Sequence, residues 1–243
     1  MRNQHNNTIA VWGSGSGTTF ETVARQLHEG VIGGFEIGLV ISDKEHAGIL
    51  DKAHHANKFW GMDTRIETVT PGKYHGGRQG RGISDEQSQR VCELMSGNGV
   101  RNLALLGCTA ILRGVVVQMY GWNPQFAEND PKNKGIYESF IQNTHQGILP
   151  TTADTYGVRA ARRAYELGLT QTAHTFHAVG EEIDRGPVIA EHRIDVPPFN
   201  VNTSERMDAA ARHLFAVVQA VEKANIGPDM QQYYTTQLQQ LPY

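Results

Sequence analysis

Cysteine is scarce in this 243-residue chain: Cys92 and Cys108 are the two present, without a Cys-x-x-Cys or Cys-x-x-His neighbour. That spacing excludes a cysteine-built zinc site and a disulfide framework, and predicts a reduced, cytoplasmic setting. Long apolar runs are missing too. The opening residues carry no run of signal-peptide length, and nothing approaches the roughly 20 apolar residues of a membrane helix, so a soluble chain with no membrane partner is expected. Charge of one sign is also lacking, since 22 Lys+Arg against 25 Asp+Glu leave a net charge of −3. Without a broad basic surface, no nucleic-acid partner is expected and small molecules are the partners to look for. Prolines number 9 against 26 glycines, which points to glycine-rich loops in a folded chain.

Short apolar runs at Ile9 to Trp12, Phe35 to Ile41 and Leu103 to Leu106 read as buried parallel strands. The first stops at Gly13-Ser-Gly-Ser-Gly-Thr-Thr19, after which Phe20, Val23, Ala24 and Leu27 recur at helical spacing. Helices are expected over about residues 46 to 57 and 84 to 96, and from Val158 to Leu167; extended segments are expected at His174 to Val179 and Val188 to Ile194. The fold class is therefore α/β, an open, mostly parallel twisted sheet with helices on both faces. Tyr120 to Gly135 reads as a long excursion between strands, and Pro71 to Gly82 as a loop with five Gly and four basic residues. That loop is either a mobile anion contact or a solvated surface turn. A C-terminal helix, capped by Asn202, Thr203 or Ser204, is expected to bury Met207, Ala210, Ala211, Leu214, Val217, Val218 and Val221. Gly227-Pro228 is expected to end it and to leave a polar, extended tail.

Three segments carry residues suited to chemistry. The glycine turn before the first helix can aim the N–H groups of Gly17, Thr18 and Thr19 at one anion. It lacks the glycine pattern of a dinucleotide fingerprint and the Gly-Lys-Ser/Thr of a Walker loop, so an ordinary tight turn is the competing reading. In Ile141-Gln-Asn-Thr-His145, strand alternation places Asn143 and His145 on one side. They form either an oxyanion-stabilising pair or a satisfied structural one. In Gly180-Glu-Glu-Ile-Asp184-Arg-Gly-Pro187, Asp184 is either a partner that raises the pKa of His145 or a turn-forming Asp, while Glu181 and Glu182 read as solvated. His174 and His177 lie three apart on a strand and so on opposite faces, which argues against a metal site.

Taken in order, these segments resemble the folate-dependent formyltransferase family, most closely its glycinamide ribonucleotide transformylase branch. The resemblance rests on Ser14-Gly-Ser-Gly-Thr-Thr-Phe20, Leu106-Gly-Cys-Thr-Ala-Ile-Leu112, Asn143-Thr-His-Gln-Gly-Ile-Leu-Pro150, and Thr175-Phe-His-Ala-Val-Gly-Glu-Glu-Ile-Asp-Arg-Gly-Pro-Val188. It implies a single formyltransferase-like domain over 1–243, with a phosphate-binding half at 1–112 and a catalytic and folate-binding half at 141–227. The implied catalytic trio is Asn143, His145 and Asp184, with His145 protonated. The implied co-substrate is 10-formyltetrahydrofolate, held by Ala110, Ile111, Leu112, Val179, Gly180, Glu181 and Glu182, with no metal. Gly17, Thr18 and Thr19 would hold the acceptor's phosphate. Three departures stand out: Thr19 where the family has Asn, Gln146-Gly147 in place of Pro-Ser, and the stretch from Arg113 to Gln142. The acceptor is expected to be glycinamide ribonucleotide. The alternatives are another amine such as an amino sugar nucleotide, water, or a binding homologue without turnover. The hydrolase reading would need a regulatory domain ahead of Ile9, and a methionyl-tRNA formyltransferase a further C-terminal domain and a basic surface.

Overall fold

The computed structural model describes residues 7–71, 82–198 and 204–240. Seven strands form one sheet in the order β3-β2-β1-β4-β5-β6-β7. The strands are β1 (Asn7–Trp12), β2 (Phe35–Ser42), β3 (Arg65–Thr68), β4 (Asn102–Leu105), β5 (Ile141–His145), β6 (Gln171–Ala178) and β7 (Val188–Asp195). The first five pair in parallel, and β6 and β7 complete the sheet antiparallel. Helices α1 (Thr18–His28), α2 (Gly48–Trp60) and α3 (Asp85–Gly97) are the crossovers of the parallel half, α6 (Val158–Glu166) precedes β6, and α7 (Ser204–Gln240) closes the described chain.

Side-chain alternation along β1 divides the core. Ile9 and Val11 face one layer with Phe20, Val23, Ile49 and the C-terminal part of α7. Ala10 and Trp12 face the other with Val91, Met95, Leu103 and Leu105. Each sheet face is thus covered, which is why the parallel strands read as unbroken apolar runs. Helix α3 starts on a reciprocal cap: Ser84 Oγ accepts from the Gln87 N–H at 3.2 Å, and Gln87 Oε1 accepts from the Ser84 N–H at 3.0 Å.

The structure adds a strand and local helices that the sequence reading did not contain, and it corrects the reading of the C-terminal helix. The four-residue β3 carries too short an apolar signal to stand out in sequence. The excursion before β5 is organised into α4 (Val115–Tyr120), α5 (Pro124–Asn129) and a 3₁₀ turn at Ile136–Glu138. Its Asn-Pro is a helix start, with Asn123 accepting from the Gln125 N–H and Pro124 in the first turn. Helix α7 does not stop at Gly227-Pro228 but runs through it. An interior proline costs about 3 kcal/mol, but the continuation buries Met230, Tyr233 and Tyr234, each worth about 1.5–3 kcal/mol. Gly227 serves close packing, since a β-carbon there would meet Gln26 Oε1 at 1.9 Å. Of the stripe on α7, Val217 is exposed whereas Ala211, Leu214 and Val218 are buried. Asn202, Thr203 and most of the Pro71 to Gly82 loop lie outside the described residues. Among the described residues, no helix is long and apolar enough to cross a membrane.

Candidate active site

The carboxyl ends of β1, β4 and β5 open onto one cleft of about 370 Å³, at the edge where open α/β sheets collect ligands. Gly17, Thr18 and Thr19 form one wall. Gly17 has φ 71°, and a β-carbon on it would lie 2.5 Å from Ile49 Cα. Only glycine lets the turn press against α2 while the N–H groups of the first turn of α1 stay without intrahelical partners. The Thr19 hydroxyl donates to Glu222 Oε1 at 3.2 Å, so this residue offers an anion its N–H.

Asn143 and His145 project from the same side of β5. The antiparallel register sets His177 directly opposite Asn143 and Thr175 opposite His145. His177 Nδ1 lies 2.9 Å from Ala178 O. A carbonyl only accepts, so Nδ1 carries the ring proton and Nε2 accepts from Asn143 Nδ2 at 3.2 Å. This bond orients the amide and leaves its second N–H for the cleft.

Asp184 fits both sequence readings. Its backbone is left-handed, φ 53°, a turn conformation that Asp tolerates better than most residues. Its carboxylate stands between two imidazoles, with Oδ2 3.6 Å from His145 Nδ1 and Oδ1 3.6 Å from His177 Nε2. Oδ2 also accepts from the Asp154 N–H at 3.2 Å. Charge attraction from Asp184 does favour protonated His145, but burial of a ring that is only 4% exposed outweighs it and lowers the pKa below 6.5. Burial likewise lowers His177 to about 4. The expectation of a protonated His145 is therefore corrected for the ligand-free protein, where both rings are neutral at pH 7.

Ala110, Ile111, Leu112, Val179, Gly180 and Glu181 line the opposite end together with Leu105 and Ile183, whereas Glu182 does not line the cleft and is exposed. No lysine or arginine lines the cleft among the described residues. His174 does lie on the other face of β6, stacked on His192, which contacts Asp229 of α7 at 2.9 Å. Among the described residues, no group of three His, Cys, Asp or Glu is arranged for a metal ion.

Among the lining residues that sequence reasoning did not assign to the site are His177 and Glu222. His177 stood within the last matching motif, but only the β5–β6 register reveals that it touches Asn143. Glu222 is 2% exposed and accepts from Thr19 and from Gln146 Nε2, the latter at 3.0 Å. Burial raises its pKa. Its signal was a carboxylate four residues after Val218, on the buried stripe of α7.

A family model described as formyl transferase matches residues 136–219. Phosphoribosylglycinamide formyltransferase of Bacillus subtilis is 24% identical over 190 residues, covering 77% of this chain and 79% of that protein. Human trifunctional purine biosynthetic protein adenosine-3 is 28% identical over 221 residues; the match covers 90% of this chain but only 18% of the human protein's length. Among solved structures, glycinamide ribonucleotide transformylase 1 from Symbiobacterium toebii superposes with a TM-score of 0.71 at 23% identity, over 96% of this chain and 89% of that one. At that identity the likeness establishes the shared fold.

Proposed function

We propose that the chain, whose residues 136–219 match the formyl transferase family model, moves a formyl group from 10-formyltetrahydrofolate to the primary amine of glycinamide ribonucleotide, a step of purine biosynthesis. The observation that carries this reading is the arrangement of Asn143, His145 and Asp184 around one point of a cleft walled by the glycine turn on one side and an apolar segment on the other. The apolar side chains of Leu105, Ala110, Leu112, Val179 and Ile183 suit a flat heteroaromatic ring. Ala110 to Leu112 and Val179 to Glu181 line the cleft there. The donor supplies an activated formyl carbon.

Holding amine and formyl group in one cleft removes most of the entropy cost of their meeting. Asn143, aimed by His177, donates its second N–H to the formyl oxygen as charge develops there. The amine nitrogen bonds to the formyl carbon, the bond from that carbon to the donor nitrogen breaks, and one proton passes from the first nitrogen to the second. Neutral His145 can accept that proton and return it, while Asp184 steadies the imidazolium in between. The acceptor's phosphate is assigned to the N–H groups of Gly17, Thr18 and Thr19 at the N-terminus of α1. With no cationic side chain lining the described cleft, these dipoles carry the anion.

The test is to incubate the protein with 10-formyltetrahydrofolate and glycinamide ribonucleotide and follow release of tetrahydrofolate. Release supports the reading. Release with an amino sugar nucleotide instead would move the acceptor assignment, and folate binding with no release from any amine would make the chain a binding homologue.

A further inference from the structure

Thr152, fully buried in the loop after β5, makes two contacts through one oxygen. Its Oγ1 lies 3.0 Å from Ile148 O and 3.0 Å from His145 Nε2. A hydroxyl has one proton, and a carbonyl oxygen only accepts. The Ile148 carbonyl accepts the Thr152 N–H at 2.9 Å and has a second lone pair for the hydroxyl; with the hydroxyl proton given to Ile148, the hydroxyl oxygen turns a lone pair to His145, and Nε2 carries the ring proton. Nδ1 is then bare and faces the Asp184 carboxylate, also an acceptor. The 3.6 Å between them agrees, because a protonated Nδ1 would close to a charge-assisted bond of about 2.7–2.9 Å.

The neighbouring glycine makes room for this contact. A β-carbon on Gly147 would fall 2.0 Å from Thr152 Oγ1 and 3.1 Å from His145 Nε2. The Gly147 carbonyl is held from β6, accepting from Thr175 Oγ1 at 2.7 Å. The Gln146-Gly147 departure after the candidate catalytic histidine is thus matched by a hydroxyl that occupies the space a side chain would take.

We propose that Thr152 is a positioning residue that locks the His145 proton on Nε2, making Nδ1, on the Asp184 side, the nitrogen that takes up and returns the transferred proton. The catalytic meaning rests on the formyl-transfer reading; the tautomer does not. In the transfer, Nδ1 accepts the proton lost by the attacking amine, the imidazolium is held between Thr152 Oγ1 and Asp184, and the proton then leaves to the departing donor nitrogen. The ring ends in the tautomer in which it began.

The test is ¹⁵N NMR of the histidine-labelled 243-residue chain without substrate, with the His145 signals identified by their loss in His145→Gln. A protonated Nε2 and bare Nδ1 are expected in the wild type and in Thr152→Ser. In Thr152→Val the proton moves to Nδ1, and kcat for tetrahydrofolate release falls about tenfold to a hundredfold with the acceptor KM retained, since an orphaned buried Nε2–H disfavours the working tautomer. Gly147→Ala, which displaces the hydroxyl without deleting it, shifts the proton the same way. A protonated Nδ1 in the wild type, or an unchanged tautomer in Thr152→Val, overturns the proposal. Should Thr152→Val fail to fold, the wild-type and Thr152→Ser spectra decide. The Nε2–H tautomer in a protein that releases no tetrahydrofolate with any amine upholds the role of Thr152 and refutes the reaction instead.

Discussion

Asn143→Ala isolates the oxyanion contribution. Asn143 Nδ2 has two N–H groups, and the one bonded to His177 Nε2 at 3.2 Å is spent on orientation. The substitution therefore removes one donor from the cleft. Donors aimed at developing charge in a site of this kind contribute about 3–4 kcal/mol, or about a hundredfold to a thousandfold in kcat. The ground-state formyl oxygen carries much less charge, so KM for donor and acceptor should hold within a small factor. A second, independent effect follows from burial. His177 is 1% exposed, and its Nε2 loses a donor, which costs about 1–3 kcal/mol of folding stability. Steady-state kinetics of tetrahydrofolate release and urea denaturation separate the two. Near-wild-type kcat, or a raised KM with kcat intact, would refute the reasoning, because the amide would then bind the ground state as well as the transition state.

Burial of His174 and His177 makes stability depend on acid pH. Their pKa values fall from 6.5 to about 3 and about 4, so the unfolded chain binds more protons below pH 6.5, and stability present above that pH is lost as pH falls. Each ring contributes a slope of about 1.4 kcal/mol per pH unit in its window; a urea midpoint that is flat between pH 7 and 5 would contradict this. Gly17→Ala should cost about 1–3 kcal/mol through a left-handed backbone and the overlap with Ile49, and should raise the acceptor KM more than the donor KM. An unchanged acceptor KM would remove the glycine turn from phosphate binding. Tyr234→Ala should destabilise by about 3–5 kcal/mol, since Tyr234 is fully buried and its hydroxyl donates to Gln142 Oε1 at 3.0 Å; a marginal loss would restore the reading of a polar, extended tail.

Patterns local to the chain were legible in sequence. Runs such as Ile9 to Trp12 and Leu103 to Leu106 announce strands because both faces of a parallel sheet are covered. Asn143 and His145 share a side, and His174 and His177 do not, because strand alternation needs no knowledge of neighbours. The end of α7 was misread for the same reason. Gly-Pro is a local stop signal, and the apolar surface on Met230, Tyr233 and Tyr234 that overrides it is repaid only by packing on the sheet.

Sequence alone thus determined the α/β class, the order of most elements and which polar residues alternate onto one side of β5. Tertiary structure decided which groups meet. His177 reaches Asn143 through the β5–β6 register, Glu222 reaches Thr19 across 203 positions, and Thr152 reaches His145 through a loop. It also decided the charge of His145. A carboxylate nearby predicts a raised pKa, but the balance turns on how much water the ring loses, and that loss is set by packing from elements distant along the chain.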